Sequence, residues 1–225
     1  MNSYKKNAIF AGILILLGMV AGILSIVPAV ESTNYLSEVY PKRIQVSMGA
    51  VFQFLLIPIY LGFSLILYQV VKKYEENLAI GFVGFRVISS VFQLIGVILI
   101  PILILLSEQY LSSKSPDIFY FETLGSLLKL GRDLSNHLGV MLATGLGNLI
   151  LYFIFYKTKL IPKWLTIWGI FGNLLAMLSS FLILFEAIDV ISTSFAIMTL
   201  PLVFQEIVLA IWLIGKGFNL QHFTR

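Results

Sequence analysis

Six long apolar segments follow one another along the chain and leave little sequence between them. They cover about residues 7–30, 44–71, 78–107, 134–156, 163–188 and 191–215. A helix needs about 20 apolar residues to cross a bilayer, so each segment is long enough to span one. Only 12% of the 225 residues are charged, whereas a soluble domain has about 25%. The sequence therefore predicts an all-α, polytopic protein in which residues 1–225 form a single membrane domain of six transmembrane helices in contact with the lipid bilayer.

A seventh apolar segment, about residues 118–130, is too short to span and carries Glu122 and Lys129. Short segments of mixed polarity lie in the membrane interface more readily than they cross it. We therefore predict an interfacial helix before the fourth span.

Lysine and arginine lie mostly on one side of these spans, and cytoplasmic loops carry the excess of such residues. With a cytoplasmic N-terminus, nine fall on the inner side and five on the outer side. The inner set is Lys5, Lys6, Lys72, Lys73, Lys157, Lys159, Lys163, Lys216 and Arg225; the outer set is Lys42, Arg43, Lys114, Lys129 and Arg132. All three tryptophans also fall near the inner surface, where indole rings prefer to lie. We expect a multi-pass protein of the plasma membrane with both termini in the cytoplasm.

Polar side chains inside five of the six spans fall at a similar predicted depth. At about 1.5 Å per residue, each lies about 12–15 Å from the inner end of its helix. They are Ser64, Arg86, Asn148, Asn173 and Glu206. An arginine near the bilayer centre costs about 2.5–3.5 kcal/mol even on a lenient scale. The pattern predicts one buried polar cluster in which Arg86 pairs with Glu206 or anchors an anionic group, either as a structural cross-link or as a ligand site.

A second polar group is predicted near the outer surface. Its members are Arg132, Asp133, Asn136 and His137 at the start of the fourth span, with Glu186 and Asp189 across the turn between the last two spans. A histidine flanked by carboxylates is typical of a weak cation or proton site. The alternative interpretation is a solvated helix end, which has the same composition. Prolines at 58, 101 and 201 lie in the outer parts of three spans, where kinks could open an outward-facing cavity above the inner polar layer.

Enzyme and metal motifs are not present in the sequence. It has no cysteine, no GxSxG or HExxH motif and no glycine-rich phosphate loop, and these are the usual signals of nucleophilic, metal-dependent and nucleotide chemistry. We expect no catalytic residue, metal or cofactor. The net charge of +4 reflects lysines at the membrane surface, so we expect no nucleic-acid partner.

Three stretches resemble a known family. They are residues 77–86, which end in Arg86; residues 160–165 with Trp168 and Gly169; and Pro201 with residues 205–206 and 209–218. Together they resemble the bacterial integral membrane family called domain-of-unknown-function family 4386. The resemblance implies the six-helix fold and a membrane location, but no activity. Members often carry an acidic residue three positions after the arginine, where this chain has Ser89.

Three functions stay open on this evidence. The preferred one is a non-enzymatic membrane protein that binds or transports a small or lipophilic ligand at the inner polar layer. The second is an accessory or regulatory subunit of another membrane protein, with a purely structural Arg86–Glu206 pair. The third is an intramembrane lipid-modifying enzyme that acts near His137 and Asp133.

Overall fold

The computed structural model describes residues 3–114, 117–190 and 192–219. His222, Arg225 and Ile191, the first residue of the predicted sixth span, lie outside the described residues. Within the described ranges the secondary structure is helical without strands, and six helices are long and apolar enough to cross a membrane. Helices satisfy their own backbone hydrogen bonds, as the bilayer interior requires. The all-α, six-helix prediction is confirmed.

The helices follow the chain in this order: α1 Ser3–Leu24, α2 Pro28–Glu31, α3 Tyr35–Glu38, α4 Arg43–Val71, α5 Glu76–Ser112, α6 Ile118–Asp133, a π-helical segment Leu134–Val140, α7 Met141–Thr158, α8 Lys163–Leu184 and α9 Thr193–Gly215. The first and fifth spans end earlier than predicted. Pro28 begins the separate helix α2, because proline suits the first turn of a helix. After α8, Glu186 adopts a left-handed conformation with φ of 56°, which ends regular helix.

The segment 118–130 is not a separate helix. It forms most of α6, which continues through the π-helical segment into α7, so that one helical run extends from Ile118 to Thr158. Asp117 begins this run by accepting a hydrogen bond from the Tyr120 backbone amide at 3.1 Å. The predicted break before Leu134 is absent because no proline interrupts residues 130–141. The location of α6 in the membrane interface stays a prediction.

The six spans form a closed ring. In chain order, α1, α4, α5, α7, α8 and α9 each pack on the next, and α9 returns to pack on α1. The ring has one end where α1 begins and α9 ends, which we call the terminal end. There Lys73 Nζ donates to the Tyr4 hydroxyl at 2.6 Å, and Lys157 pairs with Glu75 at 3.2 Å. The other end, which carries α2, α3 and α6, we call the distal end.

The connection between α1 and α4 folds over the distal end. The Ser107 hydroxyl of α5 donates to the Leu36 carbonyl at 2.6 Å and accepts from the Tyr40 amide at 2.9 Å. In the same connection, hydrogen bonds from Lys42 and Ser32 lower the pKa of the Glu38 carboxyl. These bonds fix α3 against α5 and connect Ser32, the residue after α2, to α3.

Contact between α1 and α9 is tight towards the terminal end. A Cβ on Gly12 would lie 2.8 Å from the Ala210 carbonyl oxygen and 2.7 Å from Ile214 Cγ1. Further along α1, a Cβ on Gly22 would have no neighbour within 4 Å. The two helices therefore pack closely around Gly12, and there is open space beside Gly22.

We predict that Gly12→Ala destabilises the protein by about 1–3 kcal/mol, because the added methyl group forces α1 away from the α9 backbone. Gly22→Ala is the matched control on the same helix. It should be neutral or stabilising by up to about 1 kcal/mol, since alanine favours helix and meets no neighbour there. Thermal unfolding in one detergent measures both, and equal melting temperatures for the two variants would contradict the close α1–α9 packing.

Candidate functional site

Arg86 of α5 lies in the centre of the ring and is 4% exposed. Its Nη2 donates to Asn148 Oδ1 at 2.6 Å, and its Nε is enclosed without a hydrogen-bond partner. The guanidinium carbon lies 5.3, 5.5 and 5.8 Å from the ring centres of Tyr60, Phe63 and Phe82. Aromatic faces attract a cation within about 6 Å. The charge is therefore held by one amide and three aromatic rings.

Two asparagines connect Arg86 to the neighbouring helices. Asn148 Nδ2 of α7 donates to Asn173 Oδ1 of α8 at 3.0 Å, and Asn173 Nδ2 donates to the Gly169 carbonyl at 2.7 Å. Each asparagine accepts a hydrogen bond through its side-chain oxygen on the side of Arg86 and donates one through its side-chain nitrogen on the far side. All the hydrogen bonds in this chain therefore run in one direction, from Arg86 to the Gly169 carbonyl. Arg86 thereby fixes the rotation of α5, α7 and α8 relative to one another.

Tyr152 and Gln205 form a second buried hydrogen-bond chain beside the first. The Tyr152 hydroxyl donates to Gln205 Oε1 at 2.8 Å, and Gln205 Nε2 donates to the Leu165 carbonyl at 3.2 Å. A Cβ on Gly169 would lie 2.5 Å from Tyr152 Cζ, so glycine at this position makes room for the tyrosine ring. This hydrogen-bond chain connects α7, α8 and α9, and it was not predicted from the sequence.

Glu206 faces Arg86 across a small cavity and does not form the predicted direct ion pair. Both residues line this cavity, together with Tyr60, Asn148 and Tyr152 among others, and its volume is about 10 Å³. Among the described residues, no ion pair within 4.0 Å joins the two charges. A water molecule needs about 10–15 Å³. The cavity that both residues line is therefore at the lower limit of the room that one water molecule needs.

The predicted cluster is thus brought together in part. Arg86, Asn148 and Asn173 share one hydrogen-bond chain, and Glu206 lines the same cavity as Arg86. Ser64 is buried but donates to the Leu61 carbonyl of its own helix at 2.8 Å, so it does not extend the chain. We call Arg86, Asn148, Asn173 and Glu206 the buried polar cluster.

A larger cavity of about 660 Å³ lies at the distal end of the ring. Three members of the predicted outer group line it, namely Arg132, Asn136 and His137. Glu186 and Asp189 are not among its lining residues. Six further polar residues, none of them predicted from the sequence, also line it: Ser25, Glu31, Gln53, Gln93, Ser192 and Thr193. We call this space the distal cavity.

Charged groups lie on one side of the distal cavity. Arg132 Nη1 contacts Glu31 Oε1 at 2.6 Å and Asp133 Oδ1 at 3.3 Å, and the residue is 8% exposed. Its Nε is enclosed without a hydrogen-bond partner. Glu31 lies 101 residues before Arg132 in the sequence, so only the folded α1–α4 connection brings them together. The pair also anchors α2 to α6.

Side-chain amides form the deep wall of the distal cavity. Gln53 Nε2 of α4 donates to Asn136 Oδ1 at 3.0 Å, and Gln93 Nε2 of α5 donates to the Gln53 carbonyl at 3.5 Å. A Cβ on Gly96 would lie 2.6 Å from Asn136 Oδ1, so glycine there lets the amides pack against α5. The π-helical segment carries Asn136 and also His137, whose ring packs edge-to-face on Phe195 at 5.3 Å. Such segments are rare and frequently occur at functional sites.

A family model described as Domain of unknown function (DUF4386) matches residues 10–217. The chain belongs to this family. The resemblance in the sequence is confirmed, and the match includes both the buried polar cluster and the distal cavity. No curated protein and no solved structure matches the chain. The DUF4386 description names no activity, so a function has to be argued from the geometry.

Ser89 lies three positions after Arg86 on α5. Its hydroxyl lies 2.7 Å from that of Thr144 and donates to the Val140 carbonyl at 3.4 Å. Ser89 lies between Arg86 and Gln93 on the inward face of α5. A polar but uncharged contact therefore separates the buried polar cluster from the distal cavity in this chain. Within the described residues, no group of three carboxylate or histidine side chains is placed to bind a metal ion.

We predict that the charges of Arg86 and Glu206 are energetically coupled although they do not touch. Arg86→Met should lower the free energy of unfolding by about 3–5 kcal/mol, because it leaves Glu206 without a counter-charge. Adding Glu206→Gln should recover about 0.5–3 kcal/mol of that loss. Thermal and denaturant unfolding of the purified variants in one detergent measure the effect.

The exposed pair Lys157–Glu75 is the control for this cycle. Lys157→Met and Glu75→Gln, singly and together, should change stability by less than about 1 kcal/mol. If the losses from Arg86→Met and Glu206→Gln simply add in the double variant, the charges are independent and the coupling is wrong.

Proposed function

We propose that this DUF4386 protein is a non-enzymatic integral membrane protein that binds a small amphipathic molecule in the distal cavity. The observation that carries the proposal is the cavity of about 660 Å³ with a polar wall of Gln53, Gln93 and Asn136 opposite apolar residues. Ligand sites typically measure about 300–1,000 Å³ and are mostly apolar with a few convergent polar groups. The distal cavity has both properties.

The proposed ligand site differs from the one that the sequence favoured. The inner polar layer was the preferred site, but the space beside Arg86 and Glu206 is only about 10 Å³. A small or lipophilic ligand needs far more room than that. We therefore assign the buried polar cluster a structural role, in which it holds α5, α7, α8 and α9 together below the cavity.

The α1–α9 seam is the proposed entry route. Cavity-lining residues at the end of α1 include Ile26, which is 65% exposed, and those at the start of α9 include Thr193 and Ala196, which are also exposed. The two helices pack closely around Gly12, towards the terminal end, and there is open space beside Gly22. A ligand could thus enter sideways from the membrane, as is suitable for a molecule with an apolar tail.

We further propose that the terminal end faces the cytoplasm and that the protein resides in the plasma membrane. The terminal end carries the lysine-rich turns between α4 and α5 and between α7 and α8, in agreement with the positive-inside rule. In this orientation the distal cavity belongs to the outer half of the membrane.

We predict that Ala196→Trp abolishes ligand retention, because the indole ring fills the space beside α9. Native mass spectrometry of mildly extracted wild-type protein should detect a retained small molecule or lipid, and the variant should lose it. Ile197→Trp is the matched control, since Ile197 is the next residue, is strongly exposed and does not line the cavity. That variant should keep the ligand.

Bare protein in all three samples would contradict the proposed function. If a membrane protein co-purifies in stoichiometric amount instead, the accessory-subunit function is favoured over ligand binding. Equal loss of ligand from both tryptophan variants would show that binding depends on the outer surface of α9 rather than on the cavity.

The orientation has a separate prediction, which uses the absence of native cysteine. Lys72→Cys lies at the terminal end after α4, and Lys114→Cys lies at the distal end after α5. A membrane-impermeant maleimide on intact cells should label the cysteine at 114 and should label that at 72 only after permeabilisation. The reverse pattern would place the terminal end outside.

A further inference from the structure

The polar groups of the distal cavity indicate which kind of ligand it takes. Taking the cavity as the ligand site proposed above, we infer that its ligand is an amphiphile with an uncharged, hydrogen-bonding head, such as a hydroxyl or amide group. The head would lie against Gln53, Gln93 and Asn136, and the tail would extend towards the α1–α9 seam.

The charged residues that line the cavity neutralise each other. Arg132 and Glu31 are the lining cation and anion, and they are in contact at 2.6 Å. Asp133 also contacts Nη1 of Arg132. The Nε atom of Arg132 is enclosed without a hydrogen-bond partner. An anionic head would have to compete with two carboxylates for this guanidinium. A cationic head would have to displace Arg132 from Glu31, so either charge would be left poorly compensated.

The amide wall keeps hydrogen-bonding capacity for a neutral head. The described hydrogen bonds use Gln53 Nε2, Asn136 Oδ1 and Gln93 Nε2. Three groups of the wall take no part in these bonds: the side-chain oxygens of Gln53 and Gln93 and the amino group of Asn136. They are also not among the side-chain atoms that are enclosed without a partner. The wall thus offers two acceptors and one amino donor beside the cavity. A group that both donates and accepts, as hydroxyl and amide groups do, matches this set.

Part of the remaining lining suits an apolar tail. Ile26, Val27, Val190, Phe195 and Ala196 line the same space, together with the small polar residues Ser25, Ser192 and Thr193. Ile26 and Ala196 are exposed at the seam, whereas Gln53 and Gln93 are buried on α4 and α5. The cavity therefore has amides on its buried side and apolar side chains towards its opening, so the head of an amphiphile enters first.

The test compares three probes with similar decyl tails: 1-decanoylglycerol, which is neutral, decanoate and decylammonium. Binding to the full-length protein in nanodiscs at neutral pH is measured by displacement of a fluorescent monoacylglycerol. We expect 1-decanoylglycerol to bind about tenfold or more tightly than either charged probe. Gln53→Leu combined with Asn136→Leu should remove that preference while keeping the melting temperature, since both partners of one hydrogen bond become apolar.

The possible results separate this inference from the proposed function. Preference for decanoate would identify Arg132 as the head-binding group, and preference for decylammonium would identify Glu31; either overturns the inference but keeps the cavity as a ligand site. An unchanged preference in the double variant, which keeps only the Gln93 amide of the wall, would also overturn it. If no probe binds and Ala196→Trp makes no difference to any of them, the proposed function itself fails.

Discussion

The burial of Arg86 is the constraint on which the arrangement of the helices depends. A guanidinium among apolar spans must find hydrogen bonds and counter-charge inside the protein, because the surrounding lipid offers neither. Here α7 supplies Asn148, α4 and α5 supply aromatic rings, and α9 supplies Glu206 across a cavity of about 10 Å³. Asn173 extends the same chain to α8. Meeting this one requirement fixes the rotation and depth of five of the six spans.

The distal half of the ring is not under that requirement, and its structure differs accordingly. Its charges are placed at the edge, where Arg132 and Glu31 pair between α6 and α2. Its centre holds neutral amides around a cavity of about 660 Å³ instead of a packed charge. The π-helical segment and the open space beside Gly22 of α1 both occur in this half. The fold thus combines a filled half with a half that has room for a ligand.

The features that could be predicted depend on residues close together in the sequence. The features that could not be predicted depend on contacts between segments that are far apart in the sequence. Span length and an arginine within a span are local signals, so the six helices and Arg86, Asn148 and Asn173 could be identified from the sequence. Side-chain direction is not local. Ser64 has the expected depth yet bonds its own helix, whereas Gln205 was overlooked although it bonds two neighbouring helices. Polar amides inside spans would have been the signal for Gln53 and Gln93, but the partnership of Glu31 with Arg132 depends on the folded α1–α4 connection.

The division into a filled half and an open half can be tested with single cysteines in this cysteine-free chain. Asn136→Cys would lie at the distal cavity, and Ser89→Cys would lie just below it at a position that is 6% exposed. A small, water-soluble methanethiosulfonate reagent is applied to each purified variant in nanodiscs, and the rates of modification are compared. We predict rapid modification at 136 and protection at 89 until the protein is unfolded. Equal rates at both positions would contradict the account, because the cavity would then either extend to Arg86 or be closed to solvent altogether.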